Sequence, residues 1–384
     1  MFTPIRSTDI REHNEKLVLR LILMAGAGGI SQSDIVAKTG LKAPTVFRIF
    51  SNLEQLNYIE MCEKPELPAT DEPKRKGRKP VLYHIKNKTF FIIGLDFWAN
   101  YLSAGIFDLS GEKLTIVSKN LKPHSAEEVV AIIVDTINTL VRQSGIKSEH
   151  VLGIGMGAPG QIDLEKRTIV HYPGIKDINN LAICDFIEDK CSIPVFIHNN
   201  CAVLGMQASE RYPISESLFL MIIRRGINGV FIQNRKPFVF QNHRTIEFGH
   251  IPVFSQNERC SCGAYGCLET VIGKLDPNKD GEWLFESYFD KLDELAANTE
   301  VFSKLIDVIT TSVLSIRRLF APDKFLVMTG NKEFSQQLCD AVDAKIQMNA
   351  SLFDSSDCFL VAEAYDPDNA LRGASQLVIE HLLS

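Results

Sequence analysis

The chain has 384 residues, 45% of them apolar and 23% charged, with a formal net charge of −6. This length suits two or three domains of ordinary soluble globular composition. Nine cysteines, an odd number and mostly scattered, exclude a disulfide framework and point to a reducing, cytoplasmic compartment. The first residues, MFTPIRSTDIREHNEK, carry charge with no apolar core behind it, so no signal peptide is expected. The most apolar early stretch, LVLRLILMAGAGGI, is short and broken by Arg20, which argues against membrane insertion.

Charge is unevenly placed. Residues 1–88 hold 15 Lys+Arg against 10 Asp+Glu, a net of +5 that leaves −11 for the remainder, so a polyanion is expected to meet only the head. Residues 13–25 have a helical stripe in Leu17, Leu21 and Met24, and Gly26, Gly28 and Gly29 break it. Ser31, with Asp34 three places on, starts a second helix that Gly40 ends. A third is expected from Ala43 to Leu56, with Pro44 in its first turn and Val46, Ile49, Phe50, Leu53 and Leu56 on its buried face.

This order is that of a helix-turn-helix, whose last helix enters the major groove of double-stranded DNA. Its outward residues are Lys42, Thr45, Phe47, Arg48 and Asn52. Lys42 and Arg48 suit phosphates or guanine, and Thr45 suits a thymine methyl. A small helical protein-interaction domain is the bland alternative. A Pro-rich segment follows, carrying Lys74, Arg75, Lys76, Arg78 and Lys79 around Gly77 and leading into the alternating run Val81–Ile85. That is the place of a wing, and a Gly-Arg tip suits the narrow minor groove; a solvated linker is the alternative. The chain therefore divides into a winged helix-turn-helix (1–72), a basic wing or linker (73–88) and a body (89–384).

In the body, FFIIGLDFWANYLSAGIFDLSGE reads as two strands, the first ending in Asp96. VLGIGMGAPGQID is a buried strand entering a Gly-Pro loop, and IPVFIHNNCAVLGMQASE is a strand passing into a helix. SLFLMIIRRGINGVFI is a hairpin around Gly226 and Gly229, and DKFLVMTGN is a late strand with a glycine turn. Amphipathic helices over 126–143 and 300–320 lie between them. Strands alternating with helices predict α/β, and the recurring strand-then-glycine loops suggest two related halves facing a cleft.

The densest chemistry is in EFGHIPVFSQNERCSCGAYGCLET: Cys260, Cys262 and Cys267 within eight positions, and His250 ten residues upstream. Four such ligands make a closed tetrahedral set, the signature of structural zinc. So tight a cluster disfavours unrelated thiols, and the C-x-C spacing disfavours a disulfide.

With these residues together the chain resembles the ROK family (repressors, uncharacterised open reading frames and sugar kinases), on an actin-like, ribonuclease-H-like fold. GH followed by CxCGxxGCLE is the most specific motif; GAPG at 157–160 matches the family's sugar-proximal loop, and the fused head matches its repressor branch. The resemblance implies a sugar site of Gly157, Asn199, Asn200, Glu247, His250 and Glu269, with His250 serving both metal and sugar. It also implies a transcriptional regulator of carbohydrate uptake or metabolism genes, a homodimer or homotetramer answering to a sugar or sugar phosphate. A regulatory protein partner in place of the small molecule stays open.

Catalysis is not expected. The base position of the kinases falls on Asn200, and an amide cannot accept the proton. The first phosphate loop reads Asp96-Phe97-Trp98-Ala99-Asn100, with bulk where glycines admit phosphate, and the adenosine loop is reduced to Thr329-Gly330-Asn331. A residual or bifunctional sugar kinase is the rival from another class.

Overall fold

The computed structural model describes residues 7–62, 80–98, 100–172, 174–175, 178–224, 226–241, 244–253, 258–275, 291–348 and 359–383. The head holds helices α1 (Ser7–Ala25), α2 (Gln32–Thr39) and α3 (Ala43–Gln55), and strands β1 (Ile30–Ser31), β2 (Ile59–Met61) and β3 (Leu82–Ile85). α1 starts ahead of the apolar stripe at residue 13. The added stretch carries the i,i+4 ion pairs Arg11–Glu15 and Glu12–Lys16, which support a helix whose Ile10, Arg11 and Glu12 are exposed. Ser31 and Asp34 form a reciprocal capping box, and Gly40 closes α2 in the left-handed region.

The head strands make an antiparallel sheet in the order β1-β3-β2. β3 falls within the stretch read as wing or linker, yet it is the middle strand of this sheet, so the head reaches at least to Ile85. Lys74, Arg75, Lys76, Arg78 and Lys79 lie outside the described residues.

The body contains two five-stranded sheets. The first half runs through β4 (Phe91–Trp98), β5 (Tyr101–Asp108), β6 (Lys113–Asn120), α4 (Ala126–Ser144) and β7 (Val151–Ala158). A small sheet of β8 (Gln161–Asp163), β9 (Thr168–His171) and β10 (Asn179–Leu181) follows, then α5 (Ile183–Cys191), β11 (Val195–Asn199) and α6 (Asn200–Ser209). The second half comprises β12 (Leu218–Ile223), β13 (Ile227–Gln233), β14 (Lys236–Pro237), α7 (Leu268–Gly273), α8 (Leu292–Ala297) and α9 (Thr299–Phe320). It ends with β15 (Lys324–Thr329), α10 (Lys332–Met348), β16 (Phe359–Ala364) and α11 (Pro367–Leu383). β4 runs two residues beyond the Asp96 end expected for it, and Gly229 sits inside β13 rather than in the hairpin turn.

The sheets have one topology. Their orders are β11-β7-β4-β5-β6 and β16-β15-β12-β13-β14: an antiparallel meander of three, with two strands added parallel to the first. The end of β4 therefore corresponds to the end of β12, and the end of β11 to the end of β16. Each half closes with a helix packed against the other. α6 joins the core beneath β12 and β13, while α11 lies on β4 and β7, where a Cβ on Gly155 would come within 1.8 Å of the Ala374 carbonyl oxygen.

The head docks on α11. Val18, Ile22, Val46, Phe50 and Tyr83 share one apolar core with Ile92, Leu109 and Val378 of the body. Tyr58 stacks on Phe90 with ring centroids 4.3 Å apart. Glu380 pairs with Arg20 of the head at 3.5 Å and with Lys236 of the second half at 3.5 Å, so one carboxylate on α11 touches all three parts. Among the described residues no helix is long and apolar enough to cross a membrane.

Candidate functional site

The four ligands expected for zinc converge. His250 ends a short 3-10 turn after β14; Cys260, Cys262 and Cys267 lie on a loop pinned by bridges between Arg259 and Tyr265 and between Pro252 and Cys267. Gly263 (φ 92°) and Gly266 (φ 69°) take positive φ, which lets the loop fold its thiols inward. The ligand atoms all lie within 4.8 Å of one another. The Cys262 and Cys267 sulfurs are 3.7 Å apart, and Cys260 Sγ is 3.5 Å from His250 Nδ1. Ligands ~2.3 Å from a tetrahedral zinc stand about 3.8 Å apart, far beyond the ~2.05 Å of a disulfide. The donor set and spacing thus fit zinc. Burial and the neighbouring thiols push Cys267 up to about 12, a crowding that a bound cation relieves.

The cluster clamps two segments that carry carboxylates. Leu268 N–H donates to the Ile251 carbonyl at 2.9 Å and Val253 N–H to the Gly266 carbonyl at 3.1 Å, tying the turn after Glu247 to the start of α7, which bears Glu269. Burial pushes Glu247 up to about 7; burial and then the charge of Glu247 do the same to Glu269. A zinc ion beside them would oppose that rise. Glu247 Oε1 is buried with no hydrogen-bond partner among the described residues. His250 is held below its usual range by burial and by His171 of the first half. His171 also presses its carbonyl on Gly160 of the Gly-Pro loop, at 2.3 Å from where a Cβ would stand. The halves meet here. A cavity of about 500 Å³ is lined by Phe240, Gln241, Arg244 and Thr245, none of them among the expected sugar ligands.

The Asn pair sits where β11 passes into α6, and both side chains are engaged. Asn199 caps α6, its Oδ1 accepting from Ala202 N–H at 2.7 Å. Asn200 Nδ2 donates to Asp96 Oδ1 at 2.7 Å and to the Phe97 carbonyl at 3.1 Å, so its amide hydrogens answer to β4. Gly157 lies against Val203 and Asp96. His198 is buried; its Nδ1 accepts from Asn199 N–H at 2.8 Å, which leaves the proton on Nε2, buried and without a partner among the described residues. Burial lowers its pKa to about 4, so it is a neutral imidazole.

Asp96 is the centre of a network that sequence reading missed. Trp98 Nε1 donates to its Oδ2 at 2.9 Å, and the Tyr365 hydroxyl donates to the same oxygen. The Arg224 guanidinium lies 3.6 Å from the Tyr365 ring centroid and 5.1 Å from that of Trp98. Burial pushes Asp96 up, while Tyr365, Trp98, Asn200 and the charge of Arg224 pull it back. Tyr365 and Arg224 belong to the second half; Trp98 and Asn200 belong to the first. The duplicated topology was the signal that pointed to them. Arg224 follows β12 as the turn into β5 follows β4, and Tyr365 follows β16 as Asn200 follows β11.

On the head, Lys42, Phe47 and Arg48 project from α3 into solvent, whereas Thr45 and Asn52 are half-buried. Phe47 is 60% exposed.

The model of the ROK family matches residues 92–381. The chain belongs to the ROK family. Its relatives include the xylose repressor of Caldicellulosiruptor bescii, 28% identical over 270 residues, an overlap that covers 70% of this chain and 65% of that protein. The xylose repressor of Bacillus spizizenii is 23% identical over 387 residues, covering 98% of this chain and 97% of the other. A solved structure described as a ROK family transcriptional regulator, homolog of the E. coli MLC protein, superposes with a TM-score of 0.78 at 21% identity over 97% of both chains. At that identity it speaks for the fold alone, and it covers head and body together. Of the six residues the ROK resemblance nominated for sugar, Glu247, His250 and Glu269 share one neighbourhood and Gly157, Asn199 and Asn200 another, with the Gly160–His171 contact between them.

Proposed function

We propose that this chain is a DNA-binding repressor of genes for sugar uptake or metabolism, with a ROK body that senses a sugar or sugar phosphate and does not phosphorylate it. The observation that carries the reading is the head itself: three helices and a small sheet, basic overall, sharing a core with a ROK body through α11. The head is read as a winged helix-turn-helix. Lys42, Thr45, Phe47, Arg48 and Asn52 are assigned to the major groove, and Lys74, Arg75, Lys76, Arg78 and Lys79 supply cations suited to the backbone or minor groove. Relatives over both partial and nearly full length are named xylose repressors, so xylose is the first effector to test.

The Asp96 network supports a body without kinase activity. The two hairpin turns that would cradle phosphate from opposite halves are stapled by Arg224 over Trp98 and by Tyr365 to Asp96. A neutral Asn200 stands where a base is needed. The Glu247 side supports sensing. Its carboxylates, Glu247 and Glu269, are groups that hydroxyls pair with, as are Asn199 and the buried His198 N–H of the β11–α6 turn, and the Cys3His cluster would hold zinc as a structural ion fixing the loops that present the carboxylates. A cytoplasmic two-fold oligomer would match a near-palindromic operator, and effector and operator would be coupled through α11 reciprocally.

A thermal-shift panel of pentoses, hexoses and their phosphates tests sensing, because a ligand of the native state raises the midpoint by mass action. Operator anisotropy with and without each hit tests coupling. Sugar-dependent ATP turnover at an ordinary kinase rate would overturn the non-catalytic reading. If no sugar moves either readout, a protein effector takes the small molecule's place.

A further inference from the structure

We infer that Phe47 is a sequence-reading residue that seats thymine methyl groups in the major groove, as part of an apolar patch it forms with Ala43 and Pro44. The inference rests on the head being a DNA-binding module. α3 buries Val46, Ile49, Phe50 and Leu53, and its opposite face presents Ala43, Pro44, Phe47, Arg48 and Ser51 to solvent. A 60% exposed phenylalanine in the middle of that face contributes nothing to the head's core and leaves its apolar surface in water. Helical spacing puts Ala43 and Pro44 beside it, about 5–6 Å away.

The surroundings of the patch decide its occupant. Lys42 and Arg48 flank it, and α3 has no acidic residue before Glu54 near its end. A second copy docking symmetrically through this face would set these cations against their own counterparts, because a two-fold interface is self-complementary. A polyanion satisfies them, and the apolar group that duplex DNA offers in the major groove is the C5-methyl of thymine. Successive bases stand about 3.4 Å apart along a strand. A patch of this width therefore covers two neighbouring methyls, which predicts consecutive thymines beneath the amino-terminal half of α3 in each half-site.

The full-length chain is first used to enrich duplexes from a random library. Thymines in the enriched site are then replaced one at a time by deoxyuridine, which lacks only the methyl. Loss of one buried methyl corresponds to about a fourfold drop in affinity. We expect drops of that size at two adjacent positions, compounding to more than tenfold together. Phe47→Ala should weaken binding to the thymine site and bind the thymine and deoxyuridine sites within about twofold of each other. Its melting midpoint should stay at the wild-type value, since the ring is exposed. Arg48→Ala should weaken both sites while keeping their ratio. The inference is overturned if the wild type ignores deoxyuridine, or if Phe47→Ala retains the full penalty. A change of oligomeric state in Phe47→Ala with the penalty intact would give the patch to a second copy instead. If no duplex is enriched at all, the DNA-binding reading fails first and takes this one with it.

Discussion

At the Asp96 side of the junction between the halves, the carboxylate finds its partners within the chain; at the Glu247 side, one carboxylate oxygen does not. Asp96 is met by Trp98, Asn200 and Tyr365, and Arg224 lies over two aromatic rings. Glu247 Oε1 is buried with no hydrogen-bond partner among the described residues. A buried polar group left unpaired costs about 1–3 kcal/mol, so such groups persist where something else supplies the bond. The same duplicated scaffold thus carries one side that has supplied its own occupant and one that keeps valences for another molecule. Perturbing the two sides should give different signatures.

The largest effect is expected at the metal. Purified without chelator, the chain should hold about one zinc, and Cys262→Ser should release it. Structural zinc is worth about 10–16 kcal/mol in small zinc-finger peptides, and here it ties the Glu247 turn to α7. The variant should therefore lose several kcal/mol from the second half together with any effector response. The head core shares no residue with the core beside the cluster, and the head should still bind DNA. Metal analysis beside urea unfolding measures this. A metal-free wild type, or equal stability in the variant, removes the cluster from the account.

Next comes the self-satisfied side. Asp96→Ala would strand the Asn200 amide, the Trp98 N–H, the Tyr365 hydroxyl and Arg224 at once. Breaking a buried charged group away from its partners costs about 3–5 kcal/mol, and a drop of that order in unfolding free energy is expected. Were Asp96 instead kept for a phosphate or a metal-bound nucleotide, its removal would leave the apo protein near wild-type stability.

Much of this architecture is legible in the residues because it is local. The Ser31–Asp34 capping box, the stripe from Val46 to Leu53 and the Cys3His run all sit within a few turns of chain, so spacing alone exposes them. The Asp96 network is not local. Tyr365 lies 269 residues from its partner, and only the fold makes it a neighbour. Trp98 looks in sequence like bulk spoiling a phosphate loop, whereas its indole donates to Asp96 and its ring receives Arg224. The alternation over Val81–Ile85 shows β3 in the sequence, but its place as the middle strand of the head sheet depends on pairing with β1 and β2, which spacing does not reveal. The unpaired state of His198 is invisible for the same reason as Tyr365: burial is a property of the assembled halves.

Asn200→Asp asks whether the missing base can simply be restored. The Asn200 amide nitrogen is 2.7 Å from Asp96 Oδ1, so the substitution sets two carboxylates against each other and deletes a donor. Two carboxylates at that range cannot both ionise. A loss of about 2 kcal/mol and no ATP turnover are expected, because Arg224, Trp98 and Tyr365 still occupy the phosphate side. Turnover in this variant would mean that the network opens readily and that the two sides differ less than their hydrogen bonds suggest.

The smallest structural effect, and the sharpest contrast, is expected from Glu247→Gln. The amide keeps the size and shape of the carboxylate and removes its charge. Because Glu247 Oε1 has no hydrogen-bond partner among the described residues, none is lost at that oxygen, and the unfolding free energy should move by less than about 1 kcal/mol. A hydroxyl that donates to that oxygen loses a charge-assisted bond, however, which weakens its binding by about 1.5–3 kcal/mol, roughly ten- to a hundredfold. The variant should bind operator like the wild type and ignore effector concentrations that release the wild type. That pairing separates it from Asp96→Ala, which should unfold more easily while any effector it still binds is sensed normally. If Glu247→Gln destabilises the protein as much as Asp96→Ala and leaves the effector response unchanged, Glu247 is a structural residue and the contrast between the two sides fails.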